Sequence, residues 1–255
     1  SSAASDVYKR QTYDAAQNQR TLADLQVTEW LLSQFSTIDE VKAALSSVRV
    51  VGLETTAVVH WRIGEPSGRQ VVLEIVGGVP HFYENKVGVL TNAPGFEWQL
   101  INLNNYVNLH PGDASVQKLS GITLQPTGSN SGFLGIPGDA TPPSRFVRAA
   151  FYRGTAPQRA TGFDTVQQCF HLLNNFDIPI GIEYSQAGDI PDIPSATQWT
   201  SAIDLTNRKV YYKTAYNNSI RCIDLKAIDF SKVKYQSQPL DKIQEQPVEM
   251  VKIPR

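Results

Sequence analysis

Cysteine is scarce here: Cys169 and Cys222 are the only two in 255 residues. Two are too few for a disulfide framework, and their separation has no metal-ligand spacing, so both are expected as buried free thiols. Histidine is equally thin. His60, His81, His110 and His171 show no HxxxH or HExxH spacing, which argues against a metal, and no cofactor is expected. His60, between Val59 and Trp61, reads as a sheet residue. The glycines of GIPGD (135–139) lack the GxxxxGK[ST] phosphate pattern, and Gly77-Gly78 reads as a hairpin turn. Neither sign of charge dominates, with 23 Lys and Arg against 24 Asp and Glu, so neither nucleic acid nor a membrane surface is an expected partner. No apolar run reaches the roughly 18 residues that a spanning helix needs.

Methionine occurs once, at position 250. The opening SSAASDVYKRQ has neither the apolar core of a signal peptide nor an amphipathic period. Residues 1–20 are therefore expected to be a foreign or disordered leader, with the true chain continuing upstream. Any targeting signal would lie there, which leaves cytoplasmic and periplasmic locations both open.

What is present is ordinary globular material, 41% hydrophobic and 18% charged, enough for a substantial core. TLADLQVTEWLLSQF (21–35) places Leu22, Leu25, Trp30, Leu31 and Leu32 near helical spacing, with Thr21 as the cap. In the next segment Thr37 and Glu40 make a capping box ahead of Ile38, Val41, Ala44 and Leu45. From residue 56, TAVVHWRIG, RQVVLEIVGG, VPHFYEN and KVGVL read as four strands of an antiparallel meander, since no connection is long enough for a crossover helix. FEWQLINLNNYVNL (96–109) returns to helix with Phe96, Leu100, Leu103 and Val107 on one side.

Residues 110–143 and 177–197 read as loops. SRFVRAAFYRG and FDTVQQCFHLLNNF read as helices between them. WTSAIDLTNRKVYYKTAYNNSIRCIDL (199–225) is a long hairpin, alternating at Val210, Tyr212 and Thr214 with a second turn at Asn217-Asn218-Ser219. The expected organisation is a leader over 1–20, one domain over 21–230 and an extended tail over 231–255. The order helices, sheet, helices, sheet predicts a layered α+β fold, two antiparallel sheets with helices outside.

Two stretches carry chemistry. LTNAPGF ends an apolar run on Asn92 beside a Pro-Gly signal; alone, it is either a site or ordinary turn chemistry. GIPGDATPPSRFVRAAF places Arg145 and Arg148 three apart on a helix, a pair that is often structural. Trp98 is either a pocket border or a core aromatic.

In this order, LTNAPGFEWQLINLNNY and GIPGDATPPSRFVRAAFY resemble the choloylglycine hydrolase family, which includes bile salt hydrolases and penicillin V acylases. STIDEVKAAL and the hairpin at 199–225 support the resemblance, which runs from about Leu22 to Phe230. It implies an αββα four-layer sandwich of the N-terminal-nucleophile hydrolase type, here lacking its first strands. It also implies hydrolysis of linear, non-peptide C–N amide bonds by an N-terminal cysteine whose own α-amino group is the base. Expected substrates are small-molecule amides: conjugated bile salts, penicillin V, and in some members acyl-homoserine lactones. A homotetramer is the assembly that the resemblance implies.

By the same resemblance Asn92 is the oxyanion-hole residue and Arg145 the cation that favours the thiolate, while Arg148 carries no such role and reads as structural. The family's cysteine, with an Arg and an Asp behind it, has no counterpart in residues 1–20, and Ser1 stands in the wrong context to replace it. The chain as printed is therefore expected to be inactive alone. A non-catalytic binding protein on the same scaffold is the alternative.

Overall fold

In the computed structural model, which describes residues 14–52, 59–182 and 196–254, the chain divides into two compact units, one up to Thr155 and one from Ala156. The first unit is built on an antiparallel sheet of β3 (Trp61–Gly64), β4 (Gln70–Val76) and β5 (Val79–Glu84), with β4 in the middle. β4 is apolar on both faces, and Val71, Val72 and Leu73 are wholly buried. Leu73 and Ile75 pack against Val27, Leu31, Val41, Leu45 and Val50, and on the opposite face Val72 meets Val89, Phe96 and Phe146. Burial of each such side chain contributes about 1.5–3 kcal/mol. Val76 pairs with Val79 across a two-residue turn. Gly77 and Gly78 there both take positive φ, 58° and 80°, the geometry that a tight hairpin demands.

The start of the chain departs from the helical expectation. Thr21–Ala23 is a strand, β1, paired in parallel with β2 (Arg49–Val51), and the first helix, α1, begins only at Val27 and runs to Gln34. Thr21 is therefore not the N-cap of that helix; it closes a 3-10 turn over Ala15–Arg20, and its hydroxyl donates to the Gln17 carbonyl. Pairing with a segment beyond the next two helices overrides the local pattern. Leu25 and Leu32 point to solvent at 70% and 81% exposure, and Val27 and Leu31 form the buried stripe instead. Helix α2 (Ile38–Leu45) has the expected capping box: Thr37 Oγ1 accepts from Glu40 N, and Glu40 accepts from Thr37 N. Its Ile38, Val41 and Leu45 are buried.

KVGVL does not become a fourth strand. The buried Asn85 side chain accepts from Gly88 N at 2.8 Å and donates to Val89 O at 3.1 Å, folding 85–88 into a turn, and residues 88–91 form no ladder. A Cβ on Gly88 would lie 2.5 Å from Arg153 Cζ, so glycine is required for that approach as well as for its φ of 64°. Helix α3 (Phe96–Asn102) passes into a 3-10 turn over Leu103–Tyr106. Val107 is 88% exposed and does not continue the apolar face. The 110–143 loop contains a small exposed hairpin, β6 (Gln117–Leu119) with β7 (Ile122–Leu124), and leads into α4 (Pro142–Thr155).

In the second unit α5 (Gly162–Leu173) lays Val166 and Phe170 on Tyr211 and Ala202. These come from an antiparallel sheet ordered β10 (Asn217–Asp224), β9 (Lys209–Thr214), β8 (Trp199–Asp204). The helix thus covers the Tyr211 face of β9, not the Val210–Tyr212–Thr214 face that the alternation picked out. Neither cysteine is buried. Cys169 is half-buried and Cys222 exposed, the latter because it lies on edge strand β10. The tail beyond Phe230 forms no helix or strand in the described residues, yet Asp241 accepts from Arg221 and Thr214 and Gln246 accepts from Asn218 N. The strand expected from residue 56, the 177–197 loop and the leader fall partly on 53–58, 183–195 and 1–13, outside the described residues.

Candidate active site

Asn92 stands where the extended segment after Val89 breaks ahead of α3, and both ends of the break are tied down. On one side Thr91 Oγ1 donates to Pro142 O at 3.1 Å, joining the segment to the start of α4. On the other, Phe96 N, the first helical N–H of α3, donates to Glu74 Oε1 at 2.8 Å. That carboxylate comes from the centre of β4 and is buried. Between the two ties run Asn92 and a cis Ala93–Pro94 bond.

Arg145 reaches Asn92 from the first turn of α4. Its Nη2 donates to Asn92 Oδ1 at 2.7 Å, and its Nε donates to Ala140 O at 2.9 Å. The two residues that the sequence singled out, 53 positions apart, are therefore in direct contact. A guanidinium can only donate, so the atom it meets is the amide oxygen of Asn92. Asn92 Nδ2 is turned away, with no partner among the described residues. The pair thus presents a free amide donor beside a permanent cation, which suits an oxygen gaining negative charge and a neighbouring anion respectively.

Arg148 does different work. It is buried, and its Nη1 donates to the carbonyls of Pro137 and Asp139 at 2.7 Å each. Asp139, which sequence reasoning passed over, accepts from Thr141 N at 2.9 Å, from the Thr141 hydroxyl at 2.5 Å and from the Ser144 hydroxyl at 2.6 Å. These bonds, the Ser144 hydroxyl first, hold its carboxyl well below the usual range, at about 2. The D-x-T-x-x-S spacing at a helix entrance was the available signal. Glu74 was missed too, although a lone acid inside VVLEIV is conspicuous once both faces of that strand are known to be buried.

His60 lies one residue before β3, with Nδ1 3.5 Å from Glu74 Oε1, so it faces this carboxylate from beyond the strand end. His81 stacks on Tyr83. Trp98 is 46% exposed and not a core residue. Among the described residues no three His, Cys, Asp or Glu side chains converge as metal ligands, and no helix is long and apolar enough to cross a membrane.

The family model for linear amide C–N hydrolases of the choloylglycine hydrolase family matches residues 5–239. The chain belongs to that family. The motif pair around Asn92 and Arg145 implied as much. The bile salt hydrolase/transferase of Clostridium perfringens is 33% identical over 201 residues, 77% of this chain and 60% of that protein. The chain thus spans 60% of that choloylglycine hydrolase relative's length. A cysteine-to-alanine mutant of the conjugated bile acid hydrolase from Clostridium perfringens has a similar structure, with a TM-score of 0.81 and 28% identity over 97% of this chain and 75% of that one. Penicillin V acylase from Agrobacterium tumefaciens shares the fold, with a TM-score of 0.66 and 21% identity over 88% of this chain and 62% of that one. The fold is thereby α+β of the N-terminal-nucleophile hydrolase type, as expected for the family.

Proposed function

We propose that Asn92 and Arg145 are the oxyanion donor and the thiolate-tuning cation of a hydrolase of linear amide C–N bonds. Its nucleophile would be an N-terminal cysteine that is not among these 255 residues, and its substrates small-molecule amides such as conjugated bile salts or penicillin V. The observation that carries this reading is the 2.7 Å bond from Arg145 Nη2 to Asn92 Oδ1, which leaves the amide N–H of Asn92 free to donate. Support for the substrate class comes from the names of the relatives, which include conjugated bile acid hydrolases and a penicillin V acylase.

In the reaction the cysteine thiolate, its proton held by its own α-amino group, attacks the amide carbonyl carbon. The carbonyl electrons move onto oxygen, where Asn92 Nδ2–H donates to the growing charge. Collapse re-forms the C=O bond and breaks C–N. The departing amine takes the proton from the α-ammonium, leaving a thioester. Water then attacks the thioester carbonyl and gives a proton to the freed α-amino group, and the same donor serves the second oxyanion. Collapse breaks C–S to release the acid and restore the thiolate beside the α-ammonium. Arg145 lowers the energy of the thiolate at both ends of the cycle.

The test is to read the DNA upstream of the codon for Ser1, express the whole reading frame, and follow glycine release from glycocholate and phenoxyacetate release from penicillin V. Asn92→Ala is expected to lower kcat by about 10²-fold or more, with KM little changed. A mature chain without an N-terminal cysteine, or full activity in Asn92→Ala, would overturn the proposal.

A further inference from the structure

We infer that Asp139 is the positioning residue for Arg145, acting through the Ala140 carbonyl, and that it does so without neutralising the guanidinium. This rests on the reading of Arg145 as the site's cation. The loop that delivers the Ala140 carbonyl is clamped on both sides. Upstream, Arg148 Nη1 holds the carbonyls of Pro137 and Asp139. Downstream, Thr141 is held by Asp139 Oδ1 through both its N–H and its hydroxyl. With Asp139 and Thr141 fixed, the peptide between them has one orientation, and its carbonyl accepts from Arg145 Nε at 2.9 Å. Arg145 N in turn donates to Thr141 O at 2.9 Å. Nε and Nη2 are thus held at two points on one edge of a rigid plane, which sets the plane as well as the position of the charge.

A simpler layout would pair Asp139 with Arg145 directly. Instead its oxygens are occupied by Thr141 and by Ser144, whose hydroxyl donates to Oδ2 at 2.6 Å. Arg145 makes no salt bridge to a carboxylate among the described residues, so its full charge is left for whatever lies beside Asn92. All three bonds run toward Asp139, two to Oδ1 and one to Oδ2. An asparagine keeps only one of these oxygens, and its NH₂ group on the Ser144 side would have to reverse that bond and donate to the hydroxyl. The depressed pKa, about 2, keeps it in the accepting form at any working pH.

The experiment compares Asp139→Asn, Ser144→Ala and Arg145→Lys with the parent protein. ¹H–¹⁵N spectra at pH 6 read the Arg145 Nε–H, which is assigned by its loss in Arg145→Lys, and amide hydrolysis by the product of the whole reading frame gives kcat and KM. In folded Asp139→Asn the Nε–H is expected to exchange at least about 10-fold faster, with kcat down about 10- to 100-fold and KM nearly unchanged. Ser144→Ala moves the same quantities less. The double variant Asp139→Asn/Arg145→Lys is no slower than Arg145→Lys alone, because both changes act through one guanidinium.

A residue that only braces the helix start would lower thermal stability and leave the Nε–H protection and kcat of the folded protein as in the parent; that result overturns the proposal. So does a multiplicative loss in the double variant. If Asp139→Asn fails to fold, Ser144→Ala decides by the same two measures: faster exchange and lower kcat support the inference, parental values overturn it. If even the parent fails to hydrolyse amides, the hydrolase reading falls. The positioning inference is then decided by Nε–H exchange alone, supported by lost protection and overturned by its retention.

Discussion

The buried bond between Glu74 and the α3 N-terminus offers a sharp energetic test. Phe96 is 1% exposed and Glu74 3%, so neither end of the 2.8 Å bond is screened by water. That length lies in the range of charge-assisted hydrogen bonds, which are roughly twice as strong as neutral ones. Glu74→Ala removes the acceptor and leaves the Phe96 N–H buried without a partner, costing about 2–3 kcal/mol. Glu74→Gln keeps an amide oxygen in the same place and gives up only the charge, costing about 1 kcal/mol. Urea unfolding of both variants against the parent measures the difference, with an unchanged m-value showing that the unfolded state is unaltered. Amide hydrogen exchange at Phe96 should accelerate far more in the Ala variant. Two variants equal in cost would mean that the charge, and not the acceptor, supports the helix start. Two variants within about 0.5 kcal/mol of the parent would refute the accounting altogether.

Three further outcomes follow from the packing and the caps. Thr37→Ala removes one half of the α2 capping box and should cost about 1 kcal/mol in urea unfolding. Phe146→Ala empties a wholly buried site where its ring meets Phe96 edge-on at 6.0 Å; it should cost about 3–5 kcal/mol by the same measurement. Asp139 has a folded-state pKa of about 2 against an ordinary 3.8. Its contribution is therefore complete above the ordinary value and is lost as pH falls from there toward about 2. Unfolding midpoints followed over that window should show an acid-labile component in the parent that is missing in Asp139→Asn.

The features legible in sequence were those whose physics is local. The Thr37–Glu40 box closes within one turn of helix, and Gly77-Gly78 needs only its own two dihedrals and its neighbours on the ladder. The order of the Asn92 and Arg145 motifs was likewise readable, because a resemblance is carried by residues in sequence order. What the chain order left open was settled in part by partners far away and in part by a buried side chain whose bonds the strand pattern does not reveal. Thr21–Ala23 became a strand because Arg49–Val51 lies beside it, and KVGVL failed to become one because the Asn85 side chain closes a turn inside it. Glu74 was invisible as a site-building residue for the same reason, whereas Asp139 carried a local signal in its D-x-T-x-x-S spacing. A carboxylate's role depends on which donors surround it, and those of Glu74 come from a helix 22 positions on. The sequence by itself determined the α2 capping box, the Gly77-Gly78 hairpin, the hairpin strands of 199–225 and the pair of residues to watch. Only the tertiary structure decided that Arg145 takes the Asn92 oxygen and so turns its N–H outward, because that choice needs two segments 53 residues apart to meet.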